Sequence, residues 1–186
     1  IVIWDANNTL ELNAAAQQCF IENRMMVGPA GAVGAFADQV LPERPQASVH
    51  IEAPVLIICG SLNANSRNQL DVLGEQILRP GDPVDLATHI QVVASEIPDS
   101  EITLAQSQAK ASQMAAIARD HFSAVETLII IGGDTSAAVV QDETLEVLGT
   151  VAAGIPISRF KEKLLITKGG GIGTAQALLD LLKDFL

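Results

Sequence analysis

Aromatic residues are scarce in this chain. They make up 3% of 186 residues, with one Trp, five Phe and no Tyr. A core without them must be built from Ile, Val, Leu and Ala, the residues of buried parallel strands and the helices that cover them. Cysteine is scarcer still, and Cys19 and Cys59 lack CxxC spacing, so neither a disulfide framework nor a zinc site is indicated and a reducing cytoplasm is the natural reading. Basic residues are half as many as acidic ones, 11 against 22, for a net charge of −11. That balance argues against sequence-independent nucleic-acid binding, which needs clustered Lys and Arg to neutralise phosphates. It leaves room for a small phosphate ligand held by backbone amides and Mg²⁺. No apolar run approaches the roughly 18 residues of a membrane span, and no basic segment followed by an apolar one marks a signal peptide. Low-complexity tracts and repeats of fixed period are also missing.

What is present is apolar and periodic. With 48% hydrophobic residues the chain can bury a real core, as one domain of ordinary size or one with a small sub-lobe. Ile1–Trp4 and Met25–Val27 read as short strands, and Leu10–Glu22 and Ala32–Val40 as helices, giving a leading β-α-β-α unit over residues 1–48. The chain opens without Met in a strand-like run, so a further segment upstream is expected. Leu41–Ala53 reads as a linker. In the main unit, residues 49–186, strands are expected over Pro54–Cys59, His89–Ala94, Thr127–Ile131, Leu148–Val151, Ile155–Ser158 and Leu164–Thr167. Helices are expected over Ser66–Leu78, Glu101–Phe122, Ser136–Gln141 and Thr174–Leu186. Alternation of this kind predicts an α/β fold, Rossmann-like and three-layered, with a mostly parallel sheet and helices on both faces.

Gly132-Gly133-Asp134-Thr135 stands out against this frame. It follows Leu128-Ile129-Ile130-Ile131 without a spacer and leads into Ser136-Ala137-Ala138, the order of buried strand, tight turn and helix start. Bare amides at such a helix N-terminus suit a phosphate, because donors and helix dipole point at it together. Asp134 could orient Mg²⁺ through water or cap the helix, and Thr135 could donate to a phosphate or cap the helix itself. A second turn, Gly169-Gly170-Gly171-Ile172-Gly173, also follows an apolar strand. Gly60-Ser61 and the turn Gly28–Gly31 are weaker candidates of the same type, for which a plain βα turn is the ordinary reading. Ligands of open parallel sheets bind beyond the carboxyl ends of the strands, so the four turns could converge only if the strand order allows it.

Other chemistries fail on spacing. Reading Gly169-x-Gly171 puts Thr174 where a dinucleotide fingerprint needs its third glycine, and the chain ends before the required acidic residue. Lys168 precedes its glycines, whereas the P-loop lysine follows them. His50, His89 and His121 are scattered over three elements, Arg67 reads as a solvated residue of a helix first turn, and no catalytic base identifies itself.

The series Ile3-Trp4-Asp5-Ala6, Cys59-Gly60-Ser61, Gly132-Gly133-Asp134-Thr135, Ala153-Gly154-Ile155-Pro156 and Thr167-Lys168-Gly169-Gly170-Gly171-Ile172-Gly173 resembles the C-terminal nucleotide-binding domain of the four-carbon acid sugar kinases. That family includes threonate, erythronate and 3-oxo-tetronate kinases and was formerly a domain of unknown function. The resemblance implies transfer of phosphate from ATP to a sugar-acid hydroxyl, with Mg²⁺. It implies that Gly132, Gly133, Asp134 and Thr135 hold the ATP phosphates with Gly170 and Gly171 nearby, that Asp134 serves the metal, and that Ser61 and Gly28 line the pocket. It also implies an N-terminal domain, outside this chain, that binds the sugar acid and supplies the base, so the chain alone is expected to be inactive. Departures at Ala30, Ala153 and Gly169, where the family often has Ser, Pro and Ser, keep a non-catalytic nucleotide- or metabolite-binding module as the alternative. Expected partners are a small sugar acid, with neither nucleic acid nor membrane; a homodimer is left open.

Overall fold

The computed structural model describes residues 1–41 and 50–186, which fall into two compact units, Ile1–Gln46 and Ala47–Leu186. Most of the expected linker, and the expected boundary after residue 48, lie outside the described residues. In the first unit, helix α1 (Thr9–Ile21) starts at Asn8, whose side chain accepts from the Glu11 amide, while Glu11 accepts from the Asn7 amide at 2.8 Å. This reciprocal arrangement satisfies the donors that a helix start leaves free. Helix α2 (Ala30–Val40) packs on α1 through small residues, Ala15 and Ala16 on one side and Ala32 and Ala35 on the other, with Phe20 and Phe36 meeting edge to face at 6.4 Å.

The two strands expected in this unit are not strands. Ile1–Trp4 and Met25–Val27 form no backbone ladder, and Ile1, Ile3, Met25 and Val27 are fully or largely exposed. Their apolar, β-branched composition is right for a strand. A strand also requires a hydrogen-bonded neighbour, and the described residues provide none.

The second unit holds a seven-stranded sheet. Its strands are β1 (Val55–Cys59), β2 (Ile77–Leu78), β3 (Ile90–Ala94), β4 (Thr127–Ile131), β5 (Glu146–Ala152), β6 (Ile155–Phe160) and β7 (Lys163–Lys168). The spatial order is β2-β3-β1-β4-β7-β6-β5, parallel from β2 through β7 and antiparallel from β7 to β5. All five residues of β1 and of β4 are buried, because helices cover both faces. Side chains alternate across the sheet. Val55, Ile57 and Cys59 meet Leu70 and Leu73 of α3 (Ala64–Leu73) with Leu178 and Leu182 of α6 (Ala177–Leu182). Leu56 and Ile58 meet Met114, Ala115 and Ala118 of α4 (Leu104–His121) with Val139 of α5 (Gly133–Val140).

Four expected helices of this unit have different limits, and the one expected over Glu101–Phe122 spans Leu104–His121. The one expected to reach Leu78 stops at Leu73, where Gly74 takes a left-handed conformation (φ +77°) that ends α3, and Ile77–Leu78 become an edge strand on β3. The last helix is shorter than Thr174–Leu186, with a 3₁₀ turn over Lys183–Phe185. Helix α5 starts three residues earlier than expected, inside the Gly-Gly-Asp-Thr sequence.

Candidate functional site

Strands β1, β4 and β7 are parallel neighbours, and Cys59, Ile131 and Lys168 end them in register. Three glycine-bearing turns therefore leave the sheet side by side. The chain after β1 enters α3 on one face, and the chain after β4 enters α5 on the other. Such a switch point opens a crevice at the carboxyl edge of a sheet. A cavity of about 260 Å³ lies there. Gly60, Ser61 and Leu62 line it from the β1 turn, Gly132–Thr135 from the β4 turn and Gly170 from the β7 turn. Ile102 and, on α4, Ser107, Lys110 and Ala111 complete it.

Close approach of the turns explains their glycines. A Cβ on Gly60 would collide with the Thr135 hydroxyl, and one on Gly170 with the Ser61 hydroxyl. Gly132 has φ +125°, and a Cβ there would sit 3.2 Å from the Ser61 amide nitrogen. Its own amide belongs to the sheet, donating to Lys168 O at 2.9 Å, as those of Gly60 and Ser61 donate to Ile131 O. In the β4 turn the amides without a protein acceptor among the described residues are those of Gly133, Asp134 and Thr135, the first turn of α5. Gly132 O is taken by the amide and hydroxyl of Ser136, at 3.0 and 2.9 Å.

Thr135 is only 2% exposed, lines the cavity, and its hydroxyl has no hydrogen-bond partner among the described residues. Neither it nor Asp134 caps the helix, since the N-cap is Gly132 and no side chain bonds to the free amides. The capping alternatives are thereby removed. Asp134 is exposed and forms no ion pair among the described residues. A single carboxylate beside three free amides could serve Mg²⁺, which takes one or two carboxylates and completes its shell with other oxygens such as those of phosphate and water. No cluster of three metal-ligating side chains occurs among the described residues.

Helix α3 holds the β7 turn from behind. Asn65 donates to the carbonyls of Gly171 and Gly173 at 3.3 and 3.0 Å, and Ser66 to Gly170 O at 2.6 Å. Gln69 donates to Ile172 O and Thr174 O at 3.1 and 2.7 Å. Ser66 and Gln69 are fully buried, and Ser66 also reaches Ser61, whose hydroxyl oxygen accepts from the Asn63 amide. Carbonyls bound toward α3 leave the Gly170 and Gly171 amides without protein acceptors among the described residues. Sequence reading missed this comb and the α4 wall. The signal for the wall was available, since Ser107, Lys110 and Ala111 share one helix face at i, i+3 and i+4.

The remaining expected residues have definite places. Gly28 belongs to the first unit, preceding α2, where a Cβ would meet that of Ala32 at 2.8 Å. Gly171 adjoins Asn63 without lining the cavity. Arg67 is half-buried, donating to Ser95 at 2.9 Å, with its Nε buried and unpartnered. Lys168 is buried behind the turn, with Nζ donating to Gly169 O at 3.0 Å; burial lowers its pKa and raises that of Cys59. His121 binds Ile117 O within its own helix. No helix among the described residues is long and apolar enough to cross a membrane.

Residues 87–178 match the family model of a nucleotide-binding C-terminal domain. No curated protein matches the sequence. Among solved structures, the chain is similar to a Bordetella bronchiseptica protein of the DUF1537 domain family, determined as a domain-swapped dimer with bound citrate. That match has 18% identity and a TM-score of 0.56, covering 94% of this chain and 50% of that one. A Haemophilus influenzae protein of the DUF1537 family model is 16% identical (TM-score 0.61; 98% and 53% covered). A Salmonella typhimurium protein provisionally named a tRNA synthase is 15% identical (TM-score 0.62; 98% and 52% covered). The chain thus spans about half the length of each.

Proposed function

We propose that this chain, of which residues 87–178 match the nucleotide-binding C-terminal domain model, is the ATP-binding domain of a kinase that phosphorylates a four-carbon sugar acid. One observation carries the reading. Three free amides at the start of α5 and the Thr135 hydroxyl, which has no hydrogen-bond partner among the described residues, converge on a single cavity at the sheet's switch point. Those are the donors a phosphate group needs. Phosphoryl transfer asks a protein chiefly for positioning and charge stabilisation. The β4 turn supplies positioned donors; the β7 turn, held by α3, brings the Gly170 edge beside them. Asp134 would hold Mg²⁺ against the phosphates, and the ion would offset the charge of the transferred group. Among the described residues the cavity lining contains no histidine and no carboxylate besides Asp134. The base for the sugar hydroxyl and the sugar-acid pocket are therefore assigned to a domain outside this chain, in keeping with relatives about twice its length. The small carboxylic acid bound by the Bordetella protein suits that class of substrate.

Calorimetric titration with ATP, with and without Mg²⁺, tests the reading, using the chain and its Thr135→Val variant. ATP should bind more tightly with Mg²⁺. Losing one hydrogen bond to an ionised group should weaken it about 10-fold in the variant. The melting temperature should hold, because the hydroxyl has no partner to lose among the described residues. No heat at millimolar ATP would overturn the proposal. Tight ATP binding by a full-length protein that transfers no phosphate to any four-carbon sugar acid would favour the non-catalytic module.

A further inference from the structure

We propose that Lys110 forms a second anion subsite in the cavity, so that the site selects nucleotides with two or more phosphates over monophosphates. The proposal rests on the nucleotide reading of the cavity and adds to it a residue and a selectivity. Lys110 is the one cation of the lining, and Asp134 its one anion. The two donor groups come from different elements: the amides and the Thr135 hydroxyl from β4 and α5, the ammonium from α4.

The ammonium is free to serve. Its Nζ donates to one acceptor, the Glu96 carbonyl at 2.9 Å, and forms no ion pair among the described residues. An ammonium carries three donors, so two remain for a ligand. Elsewhere in the second unit Arg79, Arg159, Lys161 and Lys163 each pair with a glutamate, whereas Arg67, Arg119 and Lys168 donate to neutral oxygens outside the cavity lining. Lys110 is held near a cavity wall without being neutralised. Electrostatics favours its use there, because a polyphosphate entering a chain of net charge −11 meets Asp134 at the same cavity. One phosphate can be satisfied by the amides of α5. A second brings further negative charge that neutral donors compensate less well than an ammonium does.

The test titrates ATP, ADP, AMP and adenosine into the chain and into its Lys110→Met and Lys110→Arg variants at fixed Mg²⁺. Losing a charge-assisted contact should weaken ATP and ADP about 10-fold or more in Lys110→Met and AMP about 2-fold at most. Adenosine should be unaffected, and Lys110→Arg should retain most of the difference between ADP and AMP. If the wild-type chain binds ATP and Lys110→Met binds it equally well, the subsite is overturned while the nucleotide reading stands. Equal weakening of all four ligands also overturns it, as does a lowered melting temperature with unchanged affinities, the result expected of a mere tether to the Glu96 carbonyl. A wild-type chain that binds none of the four overturns both.

Discussion

The β4 and β7 turns use the same residue type for different work. In the β4 turn a single strained glycine, Gly132, lets the chain pass the Ser61 backbone and enter a helix at once, leaving three amides free at its start. In the β7 turn no helix follows until Ala177, and the backbone is fixed by side chains of α3 that take up four of its carbonyls and the neighbouring Thr174 carbonyl. One turn is organised by its own helix and the other by a neighbour's polar face. Glycine at a strand end therefore signals close passage; whether the turn also binds depends on where its donors are left pointing.

The largest break in this comparison is expected at Gly132. Gly132→Ala places a Cβ against backbone atoms of Gly60 and Ser61 at a φ of +125°, where the neighbour cannot yield as a flexible side chain would. It should cost about 2–3 kcal/mol and lower the melting temperature by about 5–10 °C. Gly133→Ala is the control: nothing lies within 4 Å of its Cβ position and it stands within α5. It should leave stability unchanged or raise it by about 0.5 kcal/mol. Equal losses in the two variants would show that the strain argument is wrong.

A smaller effect is expected at the comb. Gln69→Leu removes the donors to Ile172 O and Thr174 O at a fully buried position while also removing a buried Oε1 that has no partner. The net loss should be about 1–2 kcal/mol, read from denaturant unfolding. Amide exchange should quicken in residues 169–173 and stay unchanged in 133–140 if the two turns are held independently. Faster exchange in both would merge them into one unit.

The smallest effect is a change in pH dependence at the edge the turns share. Burial lowers the Lys168 pKa, so the folded chain binds fewer protons there than the unfolded one. Its contribution to stability accordingly rises with pH, between the lowered folded value and the ordinary lysine value of 10.5. Burial raises the Cys59 pKa, so the folded thiol keeps a proton that the unfolded chain loses; that contribution falls as pH rises through the alkaline range. Lys168→Met removes the rising component. Its denaturation midpoint should fall more steeply than the wild type's above about pH 9; parallel curves would show that Lys168 is not desolvated as described.

Much of this was legible in the sequence because it depends on local residue order. Uninterrupted apolar runs such as Leu128–Ile131 marked strands buried on both faces, and the glycines directly after them marked turns. The mostly parallel three-layer fold followed from the alternation. The errors arose where a partner decides the outcome. Ile77–Leu78 continue a helical pattern until Gly74 stops α3 and β3 captures them, whereas Ile1–Trp4 and Met25–Val27 have strand composition and no ladder.

By itself, then, the sequence determined the element types of the main unit except the edge strand Ile77–Leu78, the apolar composition of its core and the presence of a strand-turn-helix able to offer bare amides. Those properties follow from short-range sterics and periodicity, which a few consecutive residues contain. Tertiary structure alone decided that β1, β4 and β7 are neighbours, that Thr135 is buried with its hydroxyl unpartnered among the described residues, that α3 clamps the β7 turn and that Lys110 lines the same cavity. Residues separated by up to about a hundred positions meet there because the strand order places their elements together, and no local pattern encodes that order.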